Sequence, residues 1–467
     1  MAIELSSLTF TEQDDVVPAS GEEQIFNSGI TNTLAGNDII YGTDSYYGNI
    51  GFENYSGVIN TGDGDDTLIG YNSNWSTAIL NSGTINTGVG KDKIAGYGGI
   101  YNSIFSAIET GADDDEITAS GNGNGIYNDS IIDTGDGHDI ITASGNDNGI
   151  DNNGIINTGD GDDIITGYSR AEYDPRFHFP IGGGISNMWD SIIDTGNGND
   201  TITGTGNNSI KNNSSINTGN GEDSIISEGE FNNSGSINTG NDEDFILSQG
   251  GELFNSGSIN TGNGEDYIES QKNFINYGGV FLGHGDDSIS SFSPTPYSPL
   301  ENFNFIGTGD GNDIITTGGV LYNQGVIETG KGNDSIIVYG DNGGGYLPLY
   351  SIYNNGGSIN TGDGNDSIIA HSGFRSGENS SGAWFLGDGE DYIRGFGSGD
   401  FYGGNGNDTL ELMSGTYTVG IWGEAGESPI FTQGDQLMIT SEFEKLKAGS
   451  TIYDFTSLTA GQIIVVA

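Results

Sequence analysis

The sequence predicts an all-β chain wound as a parallel β-roll or β-helix solenoid of about sixteen coils, with a right-handed coil expected. Three observations predict it. A nine-residue stretch, clearest at Thr261 to Glu269 as TGNGEDYIE, returns sixteen times in 467 residues. Its aspartates are mostly spaced by 21 to 26 residues, with 21 as the basic period. Two residues after each aspartate stands Ile or Leu, from Ile40 through Ile268 to Leu410. A fixed period of this size marks a solenoid, in which one repeat is one coil and no coil buries its apolar face alone. Glycine is abundant, 83 residues, but it recurs in phase with Ile, which glycine-rich disorder would not do.

The first 24 residues precede the first clear repeat and are expected to cap the solenoid, since the ends of such folds must differ from their middles. The solenoid itself is expected over residues 25–410. Counting back from the Thr that opens each nonapeptide, an apolar residue stands two before it, as in Ile237, Ile259 and Ile327, and Gly or Ser four before it. Six before it stands Asn in eleven repeats: Asn27, Asn81, Asn128, Asn152, Asn212, Asn233, Asn255, Asn276, Asn302, Asn323 and Asn355. Eight before is often apolar, as in Ile150, Phe231 and Leu321. This even spacing reads as a strand with one face inward and an Asn and Gly corner. Each coil is therefore expected to have two halves, this strand and a second one following the Gly-rich turn. The Asn column would either form a side-chain hydrogen-bond ladder or supply a residue that tolerates a left-handed corner.

Insertions lengthen the coils at 166–190, 290–305 and 337–355, and they hold most of the prolines and many aromatics. Tyr173, Phe177, His178, Phe179 and Trp189 in the longest of them could stack on sugars or pack on the coil beneath. Residues 411–467 leave the period. YTVGIW and DQLMIT read as strands, SEFEKLKAGS as a short helix, and the region as a C-terminal β cap that could double as a type I secretion signal.

Composition narrows the partners. Sixty-six acidic residues against 11 Lys and Arg give a net charge of −55. Such a chain repels nucleic acid and anionic membranes and attracts cations. Cysteine is absent, so neither disulfides nor thiolate metal sites brace the fold. The start, MAIELSSLTFTEQDDVV, lacks the basic and apolar regions of an ordinary secretory signal, and no stretch approaches the roughly 18 apolar residues of a membrane span.

The repeated turn carries the chemistry. The aspartates are Asp38, Asp66, Asp92, Asp115, Asp139, Asp163, Asp200, Asp223, Asp244, Asp266, Asp287, Asp313, Asp334, Asp366, Asp391 and Asp408. In a parallel stack they lie one strand spacing apart, where two carboxylates repel by roughly 1 to 3 kcal/mol. An ion-free stack of sixteen is therefore unfavourable. Ca2+ suits the turn best, because it takes six to eight oxygens from carboxylates and carbonyls in flexible geometry, whereas Mg2+ demands a tighter octahedron and zinc wants His or Cys. Up to about one Ca2+ per pair of adjacent coils is expected. His138 and His284 fall at variable turn positions and are given no metal role.

The stretch resembles the GGxGxDxUx nonapeptide of the haemolysin-type calcium-binding, or RTX, repeat family. The resemblance covers about residues 33–410. It implies Ca2+ sandwiched between the turns of successive coils with the sixteen aspartates as ligands, export by type I secretion, and folding in external calcium. Thr usually replaces the first Gly of that motif, Asp113 and Asp242 replace the second turn glycine, and Lys91 and Lys331 bring positive charge into the turn, so these positions are the expected weak or empty sites. The family's coils hold two nonapeptides, whereas each coil here holds one. A single calcium column along one edge is expected, with a dry Asn and Gly corner opposite.

The leading reading of function is a calcium-folded, secreted structural or surface protein of an adhesin, matrix or surface layer. Its expected partners are calcium ions and either extracellular polysaccharide or further copies of the chain. The alternative is a secreted polysaccharide lyase or epimerase on a β-helix, with Arg170, Arg176 and His178 as its basic cluster; no catalytic domain or nucleophile motif supports it. Ice binding, known for some repeats of the family, would need outward Thr where this chain has Asp63, Asp136, Asn220 or Lys331.

Overall fold

In a computed structural model, residues 2–18, 23–44, 50–73, 77–170, 182–293, 299–340, 350–377, 382–423 and 428–467 are described. The chain forms an all-β parallel solenoid of about 15 turns with almost no helix. It divides into two compact units, Met1–Gly251 and Glu252–Ala467.

In the first unit each coil has three short strands rather than two halves. In one such coil Ile126–Asn128 lies in a first sheet, Ile131–Asp133 in a second and Ile140–Gly145 in a third. Each pairs in parallel with its equivalent one coil on, so Asn128 faces Asn152, Ile132 faces Ile156 and Ile141 faces Ile165. The expected single strand is broken at Asn128, whose side-chain amide donates to the carbonyl of Ser130 two residues on, at 3.2 Å, and so holds a corner. The apolar residues on either side keep their even spacing, yet they face inward from different sheets. Both are fully buried, as is the Ile two residues after the aspartate. Each buried Ile contributes about 1.5–3 kcal/mol relative to exposure.

The second unit repeats the plan. Phe274–Asn276, Gly279–His284 and Ser288–Ser291 pair in parallel with Leu300–Asn302, Phe305–Asp310 and Ile314–Thr317. In both units the long insertions leave from one corner, between the third strand of a coil and the first strand of the next. Residues 170–182 follow Ile164–Ser169, residues 292–299 follow Ser288–Ser291, and residues 339–351 follow Ser335–Val338. Elsewhere this corner is tight. A Cβ on Gly145, at the end of its third strand, would stand 1.9 Å from the Asn148 carbonyl oxygen.

The Asn column is a hydrogen-bond ladder. In the first unit the amide of Asn128 donates to Oδ1 of Asn152 at 2.8 Å, and Asn152 donates in turn to Asn187 at 2.9 Å. Asn54, Asn102 and Asn187 belong to it although sequence counting passes over them, because their corners differ in length by one or two residues. In the second unit the rung after Asn323 is Asn354, not Asn355; the latter donates outward to the Tyr322 hydroxyl. The asparagines of the ladder are buried.

Both termini carry strands in register with the coils. Val16–Val17 pairs in parallel with Ile39 and Ile40, and Ala2–Glu4 with Gln24 to Phe26. At the other end Gln436–Ser441 continues the second sheet in parallel, while Gly415–Trp422, Ser428–Gln433 and Ile463–Val466 add antiparallel strands over the last coil. The expected helix in SEFEKLKAGS is instead the strand Lys445–Ala448, parallel to Thr409–Leu412 and antiparallel to Thr451–Asp454. The strand wins because Leu446 and Ala448 alternate inward onto the core with Lys445 and Lys447 outside.

Candidate metal centre

The turn between the second and third strands is shaped by its glycines. Gly62 and Gly64 hold φ of 106° and 141°, in the region that favours glycine. A Cβ on Gly88 would fall 1.9 Å from the carbonyl oxygen of Gly62, and one on Gly90 would fall 2.1 Å from that of Gly64. The turn carbonyls thus border the gap between coils, and the missing side chains leave that gap open. Asp113 and Asp242, which replace the second turn glycine, keep the left-handed backbone at φ 81° and 80°. Side chains outside glycine occupy this region at a cost of about 1–2 kcal/mol.

All sixteen predicted aspartates fall at this turn, and none is more than 2% exposed. In each unit they form a ladder. The N–H of Asp38 donates to Oδ1 of Asp66 at 2.7 Å, that of Asp66 to Asp92 at 2.8 Å, and so on to Asp244. In the second unit the same bonds run from Asp266 to Asp408. In fourteen coils, Asp38 to Asp223 and Asp287 to Asp408, the second oxygen, Oδ2, is buried and accepts no hydrogen bond. The great majority of buried polar atoms have a partner, and one left without it typically costs about 1–3 kcal/mol. Eight such atoms in register in the first unit, and six in the second, are the feature of this molecule that most needs a ligand.

Burial also shifts the aspartates. It pushes Asp223 and Asp287 up to about 8, Asp115, Asp163 and Asp366 up to about 7, and Asp66 and Asp92 up to about 6. At Asp66 the neighbouring Thr61 hydroxyl and the Asp38 N–H pull the other way, while the Asp38 and Asp65 charges add to the rise. The Thr61 hydroxyl itself donates to the Thr87 carbonyl at 2.9 Å.

Among the described residues no three acidic or His side chains gather at one point. A cation here would instead be held by Oδ2 atoms of aspartates in adjacent coils, completed by turn carbonyls. That donor set is all oxygen, anionic and open to several ligands, and it fits Ca2+.

The two lysines of the turn pair with exposed acids outside this column. Lys91 is exposed and pairs with Asp114, and Lys331 pairs with Asp310 at 3.1 Å. His138 belongs to an outer ladder of the residues that precede the aspartates. There the N–H of Lys91 donates to Asp65 Oδ1 at 3.0 Å, that of Asp162 to His138 Nδ1 at 2.8 Å, and that of Asn199 to Asp162 Oδ1 at 2.8 Å. In this row the N–H points to the preceding coil, opposite to the buried ladder.

Two members escaped sequence reading. Asp15 stands in register with Asp38, its N–H donates to Asp38 Oδ1 at 2.8 Å, and its own Oδ2 accepts from the Thr11 N–H. Glu444 Oε2 accepts from the Asp408 N–H at 2.7 Å. Neither follows Gly-x-Gly, yet each precedes an inward residue by two positions, Val17 and Leu446, and that signal could have found both.

Of the other predicted binding residues, Arg170 and Trp189 fall among the described residues. Trp189 is 70% exposed, between the first and second strands of its coil. Tyr173, Arg176, Phe177, His178 and Phe179 lie outside the described residues. Arg170 donates to the Ser144 hydroxyl at 3.1 Å. No helix among the described residues is long and apolar enough to cross a membrane.

No family model and no curated protein matches the chain. Among solved structures it is similar to a hyperactive, Ca2+-dependent, beta-helical antifreeze protein from an Antarctic bacterium, at 18% identity and a TM-score of 0.34, over 77% of this chain and 84% of that one.

Proposed function

We propose that the chain is a calcium-binding, calcium-folded protein of the cell exterior, built as a scaffold for adhesion, matrix or a surface layer, and that its repeats are of the haemolysin-type calcium-binding kind. The observation that carries this reading is the column of buried aspartate Oδ2 atoms without hydrogen-bond partners. Protons or cations must neutralise such a column, and at neutral pH in millimolar calcium the cation is the better candidate. A net charge of −55 adds to the need, since it disfavours the compact state until counter-ions bind.

Calcium-coupled folding suits a chain exported unfolded and released into a calcium-rich medium. Every informative residue serves the scaffold, which favours a structural role over catalysis. The lyase or epimerase alternative has one described basic candidate, Arg170, and that side chain is tied to the coil beneath.

Circular dichroism and light scattering at pH 7.5 test the reading. In chelator the β spectrum should be weaker and the particle larger than in millimolar calcium, where both should change together to a compact β state. Identical spectra in the two conditions would overturn it.

A further inference from the structure

The column of carboxylates does not stop at the last nonapeptide. Thr409 to Leu412 pairs in parallel with Lys445 to Ala448, in a register that sets Asp408 level with Glu444. The Asp408 N–H donates to Glu444 Oε2 at 2.7 Å, as each aspartate N–H donates to the carboxylate of the coil that follows. Gln436–Ser441 likewise continues the second sheet against Gly399 to Tyr402. Residues 436–448 are therefore a further, shortened coil made from sequence with no Gly-x-Gly turn, and Glu444 takes the aspartate's place in it.

A second observation points to a ligand there. Asp408 is fully buried, and its Oδ2 accepts no hydrogen bond. At the position where most turns carry Thr, this coil has Gly403. The point that a Cβ on Gly403 would occupy lies 3.0 Å from Asp408 Oδ2 and 1.9 Å from the Glu442 carbonyl oxygen. Glu442 holds a left-handed φ of 62°, which non-glycine residues rarely adopt. A buried carboxylate oxygen and a carbonyl oxygen thus approach one point from two sides, and the Glu444 carboxylate binds the N–H of the same Asp408.

We propose that Asp408, Glu444 and the Glu442 carbonyl form a terminal divalent-cation site that fastens the C-terminal cap to the last coil. The inference rests on the calcium reading of the aspartate column. It adds that the cap, although outside the repeat, is metal-linked, so that closing the end of the solenoid depends on the ion. Glu444→Gln keeps an oxygen to accept the Asp408 N–H and removes only the charge, and Glu444 is exposed, so the variant should fold.

Full-length wild type, Glu444→Gln and, as a control, Glu442→Gln would be compared with calcium alone as the probe. Bound calcium would be counted by equilibrium dialysis with mass spectrometry, and hydrogen exchange followed over residues 436–467. Wild type and Glu442→Gln should hold one more ion than Glu444→Gln. Calcium should slow exchange of the cap at least tenfold in the first two and less in the third, with the central coils protected alike in all three. Equal stoichiometry and equal cap protection in Glu444→Gln would overturn the terminal site and leave the column reading intact. Wild type that binds no calcium would overturn both.

Discussion

The backbone N–H of Asp115 donates to Oδ1 of Asp139 at 2.8 Å, so each carboxylate is tied to the backbone of the coil before it through one oxygen only. The other oxygen of Asp139 is buried and accepts nothing. The two oxygens have separable roles, and substitutions can separate them.

Asp139→Asn keeps the acceptor for the Asp115 N–H and replaces Oδ2 by an amide. In chelator its stability should match wild type to within about 1 kcal/mol, or exceed it, because a charge leaves a buried site. Asp139→Ala removes both oxygens and should cost about 1–3 kcal/mol even without metal, through the orphaned Asp115 N–H. Both variants should lose part of the stabilisation that calcium gives, read as a smaller shift in urea midpoint on adding calcium.

Without metal, stability should fall as pH rises. Aspartate in the unfolded chain titrates near 3.9, whereas burial holds the folded-state groups at about 6 to 8. Between those values the folded state binds more protons, so its stability is full below about pH 4 and is lost through pH 6 to 8. Urea midpoints in chelator should therefore be higher at pH 4.5 than at pH 7.5. Saturating calcium should reverse the order, since it competes with the protons.

The Asn ladder should contribute independently of calcium. Asn152 accepts from Asn128 and donates to Asn187 and to the Ile192 carbonyl at 2.9 Å. Asn152→Ala removes these three buried hydrogen bonds and should cost about 3 kcal/mol. Denaturation with and without calcium should show the same loss in both.

Asp113 holds φ 81° at a position where most turns carry glycine. Asp113→Gly should stabilise the protein by about 1 kcal/mol, visible as a raised unfolding midpoint. The reverse change at Gly161, Gly161→Ala, sets a Cβ 1.5 Å from the Gly137 carbonyl oxygen and should cost more than 2 kcal/mol.

The sequence by itself determined the period, the inward Ile column and the single line of aspartates, because a stacked coil places equal residues in equal environments. Reading Asp38 to Asp408 as one line per unit needed only the spacing of the turn. It also showed that an Asn corner exists, since Asn27 and its equivalents recur at one distance from the Thr.

Only the tertiary structure decided that this corner breaks the first strand in two. Inward positions on either side of a bend keep even spacing, so the sequence pattern is the same for one strand or two. It alone put Asn54, Asn102, Asn187 and Asn354 into the ladder, because ladder membership follows coil register and not distance along the chain. Glu444 is the plainest case. Alone, SEFEKLKAGS reads as a short helix; against the last coil its Leu446 and Ala448 find a core and its backbone finds a strand to pair with, and that pairing carries Glu444 to the end of the carboxylate line.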